Sequence, residues 1–273
     1  MSQRKMQKHK TKLFVVDLDG TLLTDDKRIT EGNKAALKRF MEAGGLLAVA
    51  TGRTWPGAKA FVREIQPNCP VITSNGALWV NPRTGRTIHV KYMEPEDARA
   101  VYGLGQERDI TQMVWCKNRL YTSRLDELSQ DYSRRFGKIP ARPIASFDEL
   151  LKQGILKILW YIPGASRKTA EENPAKGLDM VNMTCSSADF LEFFHCEASK
   201  GESLRELTKR YGIDLRDTAA IGDSENDWPM LCASGFGIVM GNAPEQMKEK
   251  AVAVTLDNEH DGVAYALSNF VEV

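Results

Sequence analysis

From residue 13 onward the chain alternates short, unbroken apolar runs with stretches whose apolar positions recur every three or four residues. Residues 13–16, 46–50 and 71–74 form the first three such runs. Between the first two, Thr30 is placed to cap a helix with Ala36, Leu37, Phe40 and Met41 on one face, and Gly44-Gly45 ends it. Between the next two, residues 55–65 place Ala58, Phe61, Val62 and Ile65 at i, i+3, i+4 and i+7, the signature of an amphipathic helix. Strands without polar alternation are buried on both sides. The order strand–helix–strand–helix–strand therefore predicts a parallel sheet sandwiched by helices.

The pattern then changes. Residues 87–92, 111–116, 119–123, 155–162, 180–185 and 189–194 read as strands that come partly in adjacent pairs, with helical stretches near 96–108, 125–136 and 166–172. Paired strands joined by short turns predict an antiparallel or mixed sheet, hence a separate α+β unit, placed at residues 84–190. Alternation then returns. Ser199 and Glu202 form an S-x-x-E box opening a helix with Leu204, Leu207 and Tyr211 on one face. Strands follow at 218–221, 237–240 and 252–255, and helices at 227–233, 244–250 and 262–270. The predicted architecture is α/β: a doubly wound, Rossmann-like parallel-sheet core from residues 13–83 and 191–273, with an α+β domain inserted at 84–190. No internal repeat or low-complexity tract interrupts it.

A length of 273 residues suits one large domain or two ordinary ones, and 42% hydrophobic with 27% charged residues excludes disorder and fibrous or membrane classes. The net charge of +1 is unevenly spread: Arg4, Lys5, Lys8, Lys10 and Lys12 crowd a stretch of twelve residues that has no acid. Without them the body has four more acidic than basic side chains, no footprint for nucleic acid. The basic residues 1–12 read as a solvated, disordered tail, an arm for an anionic partner being the alternative. Five scattered cysteines without a C-x-x-C pair fit free thiols in a reducing compartment. No apolar run reaches the ~18 residues of a membrane span, and the run after the basic tail is too short for a signal peptide. The expectation is a soluble, cytoplasmic protein.

In an open α/β sheet, ligands sit beyond the carboxyl ends of the strands. Four predicted core strands deliver polar residues there: Asp17 and Asp19 in D-x-D-G-T, Thr51-Gly52-Arg53, Asn75-Gly76, and Asp223, Asn226 and Asp227 in G-D-S-E-N-D. Lys200 opens the helix capped by Ser199. Each alone has a bland reading: a loop, an Asx turn capping a helix, a solvated lysine. Together they fit one chemistry. Carboxylates converging on one strand edge repel one another unless a hard cation holds them, and oxygen ligands without His or Cys favour Mg²⁺ over zinc. A hydroxyl, backbone amides and one lysine suit the oxygens of a phosphoryl group.

The order D-x-D-G-T, T-G-R, a long insertion, S-K-G and G-D-S-E-N-D resembles the haloacid dehalogenase superfamily of phosphohydrolases, and its Cof-type branch in the placement of the cap between second and third motifs. Ser74-Asn75-Gly76-Ala77, Met240-Gly241-Asn242-Ala243 and Asp261-Gly262-Val263 extend the likeness from Lys12 over nearly the whole chain. The resemblance implies that Asp17 is the nucleophile forming an aspartyl-phosphate, and that Asp19 protonates the leaving oxygen and then activates water. It implies Mg²⁺ held by Asp17, the Asp19 carbonyl and Asp223, with Asp227 in support. Thr51, the Gly52 amide and Lys200 would bind phosphoryl oxygens, Asn226 would orient phosphate or lysine, and Asn75 would reach the substrate.

Two departures stand out: His195 and Glu197 replace the Pro and Gly common before the lysine of this branch, and Trp228 replaces a smaller aliphatic residue. With Asp19 available, His195 reads as a hinge residue rather than an acid or base. The inserted domain is expected to select substrate and close as a lid, with Trp115, Tyr121, Trp160 and Tyr161 as stacking candidates that could equally be core. The expected activity is Mg²⁺-dependent hydrolysis of small phosphorylated metabolites, sugar phosphates by default. A phosphomutase of the same superfamily and a silent phosphometabolite-binding protein are the alternatives.

Overall fold

The computed structural model describes residues 8–135 and 139–273. Phe136, the expected end of one helix, lies outside them, as do the first seven residues of the basic tail. The core is an eight-stranded sheet in the order Ala253–Val254, Phe236–Val239, Thr218–Gly222, Leu13–Val16, Leu46–Ala50, Val71–Thr73, Leu78–Val80 and Thr87–Val90. The first six strands are parallel and the last two antiparallel. Successive residues of one strand feed opposite faces, as the two-residue period requires. Phe14 and Val16 pack with Leu37, Phe40, Val62 and Val263, whereas Leu13 and Val15 pack with Leu204, Leu207 and Met230. Helices Glu31–Glu42, Trp55–Ile65 and Gly262–Asn269 thus cover one side, and Lys200–Tyr211 with Trp228–Ala233 the other. Because the sheet grows in both directions from Leu13–Val16, the chain order reverses there, leaving a crevice at the carboxyl ends.

The helix starts follow the sequence. The Thr30 hydroxyl accepts from the Asn33 amide, and the Ser199 hydroxyl from the Glu202 amide. Only half of the expected Ser199–Glu202 box forms, since the Glu202 carboxylate turns to Arg205 instead. Tyr211 ends that helix on its exposed side, not on the face shared by Leu204 and Leu207.

The second sheet runs in the order Val181–Ser187, Phe190–His195, Ile155–Tyr161, Thr111–Cys116, Arg119–Thr122 and Arg142–Pro143, antiparallel except for the last pair. Sheet membership moves the expected boundaries of 84 and 190. Thr87–Val90 pairs with the core hairpin, and Phe190–His195 lies between two strands of the second sheet. The Lys91 amide still bonds to Ala77 in the core while the Met93 amide bonds to Ile155, so the first crossing falls between them. On the return, the Cys196 amide bonds to Met180 and Ser199 already caps a core helix. The inserted unit therefore spans about residues 92–198. The expectation erred because an apolar hairpin strand looks the same in either sheet. Part of the tail also needs correcting: His9–Lys10 pairs with Val271–Glu272 as a small parallel ribbon rather than remaining disordered.

At the second crossing, the Glu197 amide donates to Nδ1 of His195, and Glu197 itself pairs with Lys91 at 3.0 Å across the two linkers. His195 and Glu197 thus help to join the two linkers. One face of the inserted sheet is covered by helices Pro95–Glu107 and Phe147–Gln153, while the other looks toward the core crevice. Trp160 sits on the helix-covered face with Phe193 and donates to Gln112, and Tyr121 packs there too. Trp115 alone of the four stacking candidates lines the crevice, since the Tyr161 hydroxyl is committed to Asp131. Trp160→Ala should accordingly cost about 3–5 kcal/mol of stability in a denaturant melt and leave the ranking of substrates unchanged. A reordered ranking at constant stability would place Trp160 at the ligand instead.

Candidate active site

Asp17 follows Leu13–Val16, Thr51 follows Leu46–Ala50, Asn75 follows Val71–Thr73, and Asp223 follows Thr218–Gly222. Four neighbouring parallel strands thus end around one crevice, which opens into a cavity of about 540 Å³ beneath the inserted sheet. Asp17, Asp19, Thr51, Gly52, Asp223 and Asn226 line it. Lys200 and Asp227 lie buried behind, and Asn75 lies beneath.

The centre of the site is a charge cluster. Lys200 Nζ is 2.7 Å from Asp17 Oδ1 and 2.5 Å from Asp227 Oδ1. The other Asp227 oxygen accepts from the amides of Asp223 and Ser224 and from the Ser224 hydroxyl, so both its oxygens are occupied. Asp223 accepts from the Thr21 hydroxyl at 2.8 Å. Oxygens of Asp17, Asp223 and Asp227 all lie within 4.8 Å of one another. Three carboxylates, two buried and Asp223 half-buried, face one ammonium, and the imbalance shows in their affinities for protons. Burial, only partly offset by Lys200, pushes Asp17 well above its ordinary pKa. Burial and the neighbouring Asp227 raise Asp223 to about 7. Burial would lower Lys200, but Asp17 and Asp227 more than reverse it, so the lysine stays charged. An all-oxygen donor set short of positive charge suits a hard divalent cation such as Mg²⁺. Asp17 and Asp223 are the available carboxylates, with Asp227 already committed as the brace.

Asp19 has a different environment. Arg53 grips it with two bonds, at 2.5 and 2.7 Å, and Lys27 adds a contact at 3.0 Å. Burial would raise Asp19, yet these cations hold its carboxyl below the ordinary value. Its side chain is thereby withheld from the cluster, leaving its backbone as the part a metal could use.

The phosphate-type donors are also in place. The Arg53 amide donates to Oγ1 of Thr51, and a Cβ at Gly52 would press to 3.0 Å from Asn75 Oδ1. Asn75, in the left-handed region at φ 56°, accepts from Asn226 and donates to Glu192 of the inserted sheet. Both ends of its side-chain amide are thus bonded, and it lies buried under the cavity floor.

The structure adds residues that the motifs did not single out. Arg53 stood within T-G-R without an assigned role, and Lys27 gave no signal. Lys157 and Glu192 did give one: each is a lone charge inside an otherwise apolar strand, Ile155–Tyr161 and Phe190–His195. Such a residue is either misplaced or paired in a buried site.

Residues 14–267 match the family model of haloacid dehalogenase-like hydrolases, and the chain belongs to that family. It is a phosphoric monoester hydrolase. It is 28% identical over 283 residues to the 5-amino-6-(5-phospho-D-ribitylamino)uracil phosphatase YwtE of Bacillus subtilis, covering 95% of this chain and 98% of that one. It is likewise 28% identical over 285 residues to phosphatase YwpJ of the same organism, covering 95% of this chain and all of that one. A haloacid dehalogenase-like hydrolase from Bacteroides thetaiotaomicron superposes with a TM-score of 0.83 at 28% identity, covering 95% and 99% of the two chains. Among the described residues, no helix is long and apolar enough to cross a membrane.

Gly20 ties the first motif to the last. Its φ is +74°, and a Cβ there would come 2.4 Å from Asp223 Oδ2. Gly20→Ala should therefore cost about 1–2 kcal/mol for the left-handed backbone alone and displace Asp223 as well. Thermal melts and Mg²⁺ titration should both register it. Unchanged stability and cation affinity would mean that Asp223 is not held where the structure places it.

Proposed function

We propose that the chain is a Mg²⁺-dependent phosphatase of sugar and polyol phosphates that works through phosphorylated Asp17. The observation that carries this reading is the Lys200-anchored Asp17 carboxylate, placed at a strand end beside Thr51 and Gly52 and clustered with Asp223 and Asp227. Phosphoryl transfer needs in-line placement and neutralised charge more than elaborate covalent machinery. Each requirement has a residue here.

Asp17 attacks phosphorus through a carboxylate oxygen while the ester oxygen departs with a proton from Asp19. Asp19 then takes a proton from water, the hydroxide attacks the aspartyl-phosphate, and inorganic phosphate leaves with Asp17 restored. Lys200 stays charged throughout, orienting Asp17 and offsetting phosphoryl charge. The Thr51 hydroxyl and Gly52 amide hold phosphoryl oxygens, and Asn226 positions them. Bound Mg²⁺, held by Asp17, the Asp19 carbonyl and Asp223, supplies charge neutralisation for the phosphoryl group. Gripped by Arg53, Asp19 is in the base form that the second half-reaction needs. Carrying a proton in the first requires only Oδ2 to give up its bond from Arg53 Nε, while Oδ1 keeps Arg53 Nη2 and Lys27 engaged. The polyol preference is supported by the hydroxyl, amide and charged groups on the cavity wall, and by the ribityl phosphate for which the relative YwtE is named.

The decisive experiment is a panel of phosphate esters assayed for phosphate release, with Mg²⁺ and without any bisphosphate activator. Turnover under these conditions separates a phosphatase from a mutase, and tight binding without turnover would indicate a silent receptor. Asp17→Asn should lower kcat by more than about tenfold, ~1.4 kcal/mol of barrier, and abolish phosphoryl-enzyme in rapidly quenched mass spectra. Asp19→Asn should slow alkyl esters more than aryl esters, whose leaving groups need no proton. Equal slowing would remove Asp19 from the acid role.

The metal has a pH signature. Protons occupy Asp223 below its pKa of about 7 and compete with the cation, so affinity falls as pH falls. Calorimetric titration should show Mg²⁺ binding weakening about tenfold from pH 8 to pH 6. A pH-independent affinity would indicate that the cation binds elsewhere.

A further inference from the structure

The cavity wall opposite the carboxylates belongs to the inserted sheet. Its polar centre is an ion pair, Lys157 Nζ to Glu192 Oε2 at 2.7 Å, whose side chains are only 2% and 6% exposed. The pair is anchored on all sides. Lys157 also donates to the Gly52 carbonyl at 3.2 Å, Asn75 donates to Glu192 Oε2 at 3.2 Å, and the Ser186 hydroxyl donates to Oε1 at 2.9 Å. Trp115 and Phe190 form the apolar part of the wall beside it.

The cations lining this cavity are already matched. Arg135 lies against Asp131 at 2.7 Å and Asp189 at 3.4 Å, and Arg53 and Lys27 both serve Asp19. Among the described residues, every cationic side chain lining the cavity has a carboxylate partner. A second anionic group on the substrate would be stripped of water against Glu192 and Asp19, with no uncommitted cation to receive it. A hydroxyl meets no such cost. It can accept from the ammonium, which has three protons, and donate to a carboxylate, which has lone pairs beyond those in use.

We infer that the Lys157–Glu192 pair selects the leaving group, accepting a neutral, hydroxyl-bearing one and rejecting one that carries a carboxylate or a second phosphate. The pair does this beside the reaction centre, because Lys157 is bonded to Gly52, whose amide is assigned to the phosphoryl group. This inference rests on the phosphatase reading above and adds the charge of the leaving group to it.

The test uses matched esters that differ only in that charge: sorbitol 6-phosphate against 6-phosphogluconate, and glycerol 3-phosphate against 3-phosphoglycerate. Values of kcat/KM are measured for each, and for slow esters inhibition of p-nitrophenyl phosphate hydrolysis supplies the ratio. The wild-type enzyme should favour the neutral member of both pairs by at least tenfold. Glu192→Gln, which leaves the Lys157 charge uncompensated, should shrink or reverse that ratio by at least tenfold. The double variant Lys157→Gln with Glu192→Gln, again neutral, should restore the preference. Equal or opposite wild-type ratios overturn the inference, as does a Glu192→Gln enzyme with an unchanged ratio. If Glu192→Gln does not fold, the wild-type ratios decide alone. Absence of hydrolysis for p-nitrophenyl phosphate and every other ester would instead overturn the phosphatase reading, a distinguishable failure.

Discussion

The buried contact of Lys200 with Asp17 and Asp227 is the constraint on which the site depends. An ammonium and two carboxylates without water are tolerable only if each is held at bonding distance, and losing one partner strands the others at a cost of about 3–5 kcal/mol. The three come from far apart in the chain, and the sheet order is what brings them together. Leu13–Val16 lies beside Thr218–Gly222, so the ends of both strands open onto the same crevice. The helix begun by Ser199 packs on that sheet with its first lysine buried. The positively polarised start of a helix is a poor place for a lysine, and the two aspartates compensate for it.

The same cluster explains why the inserted unit can be large without disturbing the chemistry. Its two linkers leave and re-enter the core close together, tied by Lys91 and Glu197. Polar contacts tie the insertion to the site, among them Lys157 to the Gly52 carbonyl, Glu192 to Asn75 and Arg167 to Glu225. Everything else that touches the reacting carboxylates comes from the core. On the proposed reading, phosphoryl recognition falls to the core and leaving-group recognition to the insertion.

Much of this was legible in the sequence. Unbroken apolar strands alternating with amphipathic helices give the parallel core, and helix Trp55–Ile65 falls where its spacing predicts. Asp17, Thr51 and Asp223 stood out because polar residues just beyond buried strands must either turn or bind, and Lys200 as the first residue of a capped helix. What escaped was long-range pairing. Nothing local distinguishes Thr87–Val90 as a core edge strand, or Phe190–His195 as a central strand of the insertion, since both depend on partners remote in sequence. Trp160 looked as good a ligand contact as Trp115 because alternation says that they face oppositely only once the strands are in register. They lie on neighbouring paired strands, where Trp115 is opposite Lys157 and Trp160 opposite Gln112. Arg53 was visible as part of a motif, but its grip on Asp19 depends on how two loops meet.

The central claim is that the unbalanced carboxylates at the strand ends hold a divalent cation and present Asp17 to phosphorus. A crystal structure of the protein grown with Mg²⁺ and beryllium fluoride, which mimics an aspartyl-phosphate, tests it most directly. The account predicts beryllium bonded to a carboxylate oxygen of Asp17, fluorides within reach of Thr51, Gly52 and Lys200, and Mg²⁺ between Asp17, the Asp19 carbonyl and Asp223. Beryllium on another residue, or Mg²⁺ bound away from Asp17 and Asp223, would contradict it.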